Sequence, residues 1–323
     1  MRTRILGNDL RVSVVGFGCM GISHAYGEPL NRSEAVKLLR SAVDNGYTFF
    51  DTAECYIGDN SNNEEIVGEA LTPFKGKVQI ATKFGVRHEG SSLICDSRPE
   101  TIRKSVDGSL KRLGVERIDL YYQHRVDPKI PAEEVAGVMA ELIKEGKIAR
   151  WGISEVTEEY LRKAHAVCPV TAIQNRYSMM FREYEKLFPV LEELNVGFVA
   201  FSPLANGFLS TQYKDNGQFN GEKDYRSTMP QFQKGAYKQN TELVELLNNM
   251  AAKRGTTTAQ IALAWLIGKK PYIVPIPGTT KTDRMIENAT AAEVLLTSDE
   301  VNEIDRALKN IKMSDVFGGH VAK

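Results

Sequence analysis

Four side chains of different acid–base character fall at or just past the ends of short apolar runs. Asp51 closes FFD, Lys83 closes QIATK, His124 closes DLYYQH, and Tyr56 follows Asp51 in the next loop. A carboxylate, an ammonium, an imidazole and a phenol brought together suit carbonyl chemistry. They could polarise a C=O group and protonate the alkoxide left when hydride adds to its carbon. A free phenol, with a pKa of ~10, is a poor acid near neutrality. A neighbouring ammonium favours the phenolate and so strengthens the acid; Asp51 would hold that ammonium, and His124 would orient the carbonyl. Singly, each has a plain structural explanation: a helix cap, a loop aromatic, a strand-end cation, a buried histidine. Their recurrence at three consecutive strand–helix junctions favours a shared site. The pattern needs no metal: neither an H-x-x-x-H spacing nor a Cys/His cluster is present.

The elements that would position these groups alternate along the whole chain. After an N-terminal hairpin with Gly7-Asn8 as its turn, short apolar runs at 13–16, 48–51, 78–83, 118–124, 149–154, 172–174, 197–202 and 272–276 read as strands buried on both faces. Helical periods lie between them. Val36, Leu39 and Val43 share a face behind a cap at Ser33, and Ile102, Val106, Leu110 and Leu113 share another that Gly114 stops. Further helices are expected at 62–71, 132–144, 158–167, 184–194, 258–267 and 284–291. Eight strand–helix units close most naturally into a (β/α)8 TIM barrel, whose active sites lie at the C-terminal ends of the strands. Segments 241–253 and 298–309 read as two extra helices. The Gly-, Asn- and Gln-rich stretch 205–239 reads as a long structureless loop with a role in binding. Residues 1–323 form one domain.

Bulk properties narrow the function. The 323 residues carry 41 Lys+Arg and 41 Asp+Glu, so zero net charge argues against nucleic acid or an anionic membrane as partner. No run approaches the length of a membrane span, the start is no signal peptide, and the four cysteines have no framework spacing; a reduced, cytoplasmic protein is expected. Gly16, Gly18 and Gly21 match G-x-G-x-x-G, yet Gly27 and Pro29 exclude the helix that motif must open. A tight turn at the barrel mouth suits these glycines better.

DTAECY, ATKFG and DLYYQHRVDP, followed by WGIS, IQNRYS, FSPLANGFL and PIPGTTKTDRMIEN, resemble the aldo-keto reductase superfamily in motif and in order over nearly the whole chain. The likeness is strongest to the bacterial and plant branch with a long loop after SPL-x-x-G-F-L. It implies NADP(H)-dependent reduction of a small aldehyde or ketone, with Tyr56 as general acid and Asp51, Lys83 and His124 as its partners. It also implies cofactor contacts: Ser154 and Gln174 to the nicotinamide carboxamide, Phe201 stacked on that ring, and Ser202, Leu204 and Gly207 about the pyrophosphate. Gly278, Thr280 and Arg284 would lie at the 2′-phosphate, and Glu287 and Asn288 at the adenine.

Two positions depart from the family pattern. Glu155 stands where many members have Asn, and Gly278 where many have a Lys on the 2′-phosphate, which leaves NADP preference to Arg284 with help from Lys281. Cys55 reads as a small apolar neighbour of Tyr56. The alternative implied by the likeness is a cofactor-sensing regulatory subunit similar to potassium-channel β-subunits. A barrel that binds a substrate phosphate at its last Gly-Thr-Thr turn is a third reading. Substrate walls are expected from loops 21–30, 87–97 and 205–239, with Tyr26, Phe84 and Phe208 as apolar candidates.

Overall fold

A computed structural model describes residues 1–58, 61–89, 92–219 and 223–317. Eight strands form one parallel sheet in chain order: Phe17–Gly18, Phe49–Asp51, Gln79–Phe84, Leu120–Gln123, Trp151–Ser154, Ala172–Arg176, Gly197–Phe201 and Ile273–Pro275. The sheet curls until its ends meet. Gly16 N–H donates to the carbonyl of Pro275 at 2.9 Å and Gly18 N–H to that of Pro277 at 3.3 Å, closing a (β/α)8 barrel.

That seam accounts for the glycines. A Cβ on Gly16 would stand 2.7 Å from the Phe49 ring, one on Gly18 2.7 Å from the Ile276 carbonyl oxygen, and one on Gly278 2.6 Å from that of Gly18. Gly16 and Gly18 therefore serve strand closure; only Gly21 lies in a mouth turn, the 3-10 turn Met20–Ile22. The expected first strand, 13–16, is displaced for a related reason. Ser13 ends the hairpin Thr3–Leu6/Leu10–Ser13 and exchanges two hydrogen bonds with Thr48, so the barrel strand begins at Phe17. The other seven strands lie within two residues of their expected bounds.

The hairpin plugs one end of the barrel. Leu6, Leu10 and Val12 are buried against the inward-facing Phe49, Leu120, Val199 and Val274. Burying side chains of this size stabilises the fold by roughly 1.5–3 kcal/mol each. With the N-terminal ends closed by apolar contacts, the polar positions of the strands are left at the opposite mouth.

Most helices fall as expected, including Ala132–Lys144 and Glu158–Val167. Three details differ. Asn31, not Ser33, caps the first helix by accepting from Glu34 N–H, so the helix begins at Arg32. The 184–194 segment is a 3-10 stretch, Glu183–Leu187, followed by the short helix Phe188–Glu193, because Pro189 has no N–H to continue one ladder. The helix after the last strand is Thr282–Thr290. Thr241–Arg254 and Ser298–Asn310 are the two helices outside the eightfold repeat.

The 205–239 segment is not structureless. It winds through four 3-10 turns and the short helix Ala236–Gln239, with Phe208, Leu209, Met229 and Phe232 buried beneath it. Its residues 220–222 lie outside the described set, as do 90–91 of the 87–97 loop, the rest of which is mainly a hairpin, Val86–Glu89 with Ser92–Cys95.

Candidate active site

Strand alternation builds the site. Side chains two residues apart point the same way, and the residues two beyond the barrel-filling Phe49, Ala81, Tyr122, Ala172 and Val199 are Asp51, Lys83, His124, Gln174 and Phe201. Their side chains, with Tyr56 from the loop after Asp51, meet at the C-terminal mouth. Lys83 Nζ donates to Asp51 Oδ1 at 2.5 Å and to the Thr52 carbonyl at 2.7 Å, and it lies 5.2 Å from the centroid of the Tyr56 ring. Gln174 Nε2 donates to the second Asp51 oxygen at 2.7 Å. The edge of His124 meets the Tyr56 ring, centroids 5.9 Å apart, and its Nδ1 is 3.5 Å from Cys55 Sγ. His24 stacks on Tyr56 and meets Tyr225 edge-on.

The electrostatics differ from the expectation in one respect. The Lys83 ammonium is fully buried, but Asp51 neutralises it at contact distance. Burial raises the Tyr56 phenol well above its ordinary value, the Asp51 carboxylate adds to the rise, and Arg125 opposes it. Without a ligand the phenol is held protonated rather than made more acidic. Burial also lifts the Asp51 carboxyl, against the pull of Lys83 and Gln174. The Cys55 thiol is pushed up to about 11, chiefly by burial, so the thiolate needed for redox chemistry is disfavoured.

A cleft of about 560 Å³ runs from this cluster across the mouth. Asp51, Tyr56 and His124 line it, as do Ser154, Gln174, Phe201, Ser202, Leu204, Gly207, Gly278, Thr280, Arg284, Glu287 and Asn288. Lys83 lies behind Tyr56, off the cleft wall. In the SPLANG turn, Ser202 (φ +49°), Ala205 (+47°), Asn206 (+60°) and Gly207 (+102°) occupy the left-handed region. Such crowding of non-glycine residues is costly and characteristic of ligand-binding backbone. At the far end Arg284 donates to the Tyr213 hydroxyl at 2.7 Å and to the Gln212 side-chain oxygen, both neutral groups. Burial would raise the Tyr213 phenol, yet Arg284 and Arg226 bring it below its ordinary value.

Several expectations are corrected. Of the three apolar candidates only Tyr26 lines the cleft, its hydroxyl accepting from Asn206 Nδ2 at 2.7 Å. Phe84 packs on Tyr121 and Phe208 on Phe232 and Tyr237, away from it. Glu155 (φ +56°) faces Arg176 at 3.8 Å, so it is part of an ion pair beside the strand ends. Gly278 cannot be replaced by Lys without moving the Gly18 backbone. Sequence reasoning missed Arg125, which lines the cleft and bonds Ser154 Oγ at 3.2 Å, although it stood next to His124 in DLYYQHRVDP. It also missed Arg226, held by Asp224 at 2.5 Å against the rings of Tyr26, Tyr213 and Phe219.

Comparison with known proteins agrees with this fold. The model of the Aldo/keto reductase family matches residues 14–309. A protein from Glycine max, described as probable aldo-keto reductase 1, is 40% identical over 312 residues, which span 95% of this chain and 88% of that one. The structure of a glycerol dehydrogenase from Gluconobacter oxydans superposes with a TM-score of 0.85 at 29% identity, covering 99% of this chain and 97% of the other. An aldo/keto reductase from Klebsiella pneumoniae, in complex with NADP and acetate, gives a TM-score of 0.72 at 25% identity over 95% of each chain.

Proposed function

The chain belongs to the aldo/keto reductase family, and on that premise we propose that it reduces an aldehyde or ketone to an alcohol with NADPH, Tyr56 giving the proton. What supports the proposal above all is the convergence of the phenol, the buried Asp51–Lys83 pair and His124 at one end of a cleft. The remainder of that cleft fits an extended dinucleotide. It has a part-buried aromatic face at Phe201, a left-handed turn at 202–207, and a guanidinium at Arg284 that, among the described residues, hydrogen-bonds only to neutral side chains. The NADPH complex of the Klebsiella pneumoniae enzyme favours the same cofactor.

When bound, NADPH supplies the hydride that adds to the carbonyl carbon. Ser154 and Gln174 would hold its carboxamide, Phe201 would stack on the nicotinamide, and Ser202, Leu204 and Gly207 would border the pyrophosphate. Gly278, Thr280 and Arg284 would receive the 2′-phosphate, with Glu287 and Asn288 at the adenine. His124 would hydrogen-bond the carbonyl oxygen and hold it for Tyr56. The raised phenol keeps its proton until charge develops on that oxygen, and the proton then moves from Tyr56 Oη to the alkoxide. Lys83 and Asp51 fix the phenol's surroundings and keep the barrel beneath it electrically neutral.

Loss of NADPH absorbance with a panel of aldehydes and ketones tests the activity. Turnover of at least one neutral aldehyde is expected. Tight NADPH binding with no consumption across the panel would instead point to a regulatory subunit.

A further inference from the structure

Arg125 follows His124 at the end of the Leu120–Gln123 strand and lines the same part of the cleft as Tyr56. One nitrogen carries both of its hydrogen bonds: Nη1 donates to the His124 carbonyl at 2.6 Å and to Ser154 Oγ at 3.2 Å. Among the described residues Nη2 and Nε bond to nothing, and no carboxylate pairs with the guanidinium. Lys83 is compensated by Asp51 and Arg226 by Asp224, each at 2.5 Å, and Arg176, which shares the Phe201 ring with Arg125, faces Glu155 at 3.8 Å. Arg125 is thus a tethered, part-buried charge with two donors to spare, in the planar fork that matches a carboxylate or phosphate. Its charge is felt where reaction would occur, since it draws both the Tyr56 phenol and the Cys55 thiol downward against burial. Its guanidinium also lies 5.9 Å from the Phe201 ring centroid.

We propose that Arg125 forms the subsite for an anionic group of the substrate, so that carbonyl compounds with a carboxylate or phosphate close to the reacting carbon are preferred over their neutral counterparts. The proposal rests on the carbonyl-reductase function above and adds no step to it. Hydride still adds to carbon and the proton to oxygen, while the anionic group passes through unchanged. An anion held here gains a charge-assisted, two-point contact in a partly desolvated position, which a neutral ester or alcohol cannot make.

The test compares matched pairs with NADPH: benzoylformate against its ethyl ester, and glyceraldehyde 3-phosphate against glyceraldehyde. Wild type should show a higher kcat/KM for the anion in at least one pair, and the responding pair tells carboxylate from phosphate. In Arg125→Met that preference should collapse by about 10- to 100-fold, mainly through KM, the scale of one lost charge-assisted contact. Arg125→Lys should retain part of it. An anion-to-neutral ratio that is the same in wild type and Arg125→Met would overturn the proposal, because a purely structural arginine lowers both members of a pair together. If no compound is reduced, the failure lies with the reductase function. Benzoate and benzamide titrated onto the NADPH-bound chain then decide the subsite: tighter benzoate binding that Arg125→Met removes supports it, and equal binding refutes it.

Discussion

The two ends of the cleft are built on different principles. At the chemical end, Lys83 and Asp51 hang from adjacent strands, are almost fully buried, and satisfy one another by charge, with Thr52 and Gln174 completing the set. At the far end, Arg284 extends from the first turn of a helix, is half-exposed, and rests on the neutral side chains of Tyr213 and Gln212 in a loop. A buried pair on strands is preorganised, and breaking it is expensive. A cation resting on neutral partners can exchange them for an anion at little cost. The first arrangement suits chemistry that tolerates little movement; the second suits a ligand that comes and goes.

The largest expected effect follows from breaking the preorganised end. Lys83→Met leaves the Asp51 carboxylate buried without its ammonium, and loss of one partner of such a pair costs about 3–5 kcal/mol. Turnover at neutral pH should be abolished and the thermal midpoint lowered. Near-native activity and stability would mean that Asp51 is accommodated without Lys83. At the far end the effect should be smaller and confined to binding. Arg284→Ala removes a charge-assisted contact of about 1.5–3 kcal/mol, so NADPH should bind roughly 10- to 100-fold more weakly while NADH changes little. The loss should shrink at high salt. Equal weakening of both cofactors in fluorescence titrations would show that Arg284 supports the Tyr213 loop and does not read the 2′-phosphate.

The smallest expected effect is an absence of change. A phenol raised well above its ordinary value by burial and by Asp51 stays protonated across the neutral range. Tyr56 should therefore impose no fall in the rate of carbonyl reduction as pH rises from about 6 to 9. A decline centred in that window and absent from Tyr56→Phe would show that the phenol is acidified by Lys83 after all.

The same contrast governs what the sequence revealed. Asp51, Lys83 and His124 were legible because each closes a short apolar run, and the end of a barrel strand must reach the mouth; Gln174 was legible only through the family likeness. The barrel itself was legible from the spacing of its strands. Contacts between distant segments were not. Nothing near Gly278 announces that the Gly18 backbone presses on it, and nothing near Arg284 announces the Tyr213 hydroxyl, 71 positions away. The first strand was misplaced because 13–16 is as apolar as a barrel strand, and only its distant partners decide: Ser13 pairs with Thr3 and Val14 N–H donates to the Arg2 carbonyl, which assigns both to the hairpin. The direction of the Tyr56 shift was misjudged for a similar reason. Lys83 was visible in the sequence, whereas the depth of burial and the cancellation of its charge by Asp51 exist only in the fold.

Tyr56→Phe isolates the proton donor most directly, since it deletes one hydroxyl and keeps the ring that packs beside His124 and Lys83. With a substrate that wild type reduces, kcat should fall by at least ~10²-fold, the scale of a lost general acid, while the NADPH dissociation constant stays within about twofold. A variant that binds NADPH normally and turns over at the wild-type rate would show that the proton comes from another group, and Tyr56 would lose its place in the mechanism.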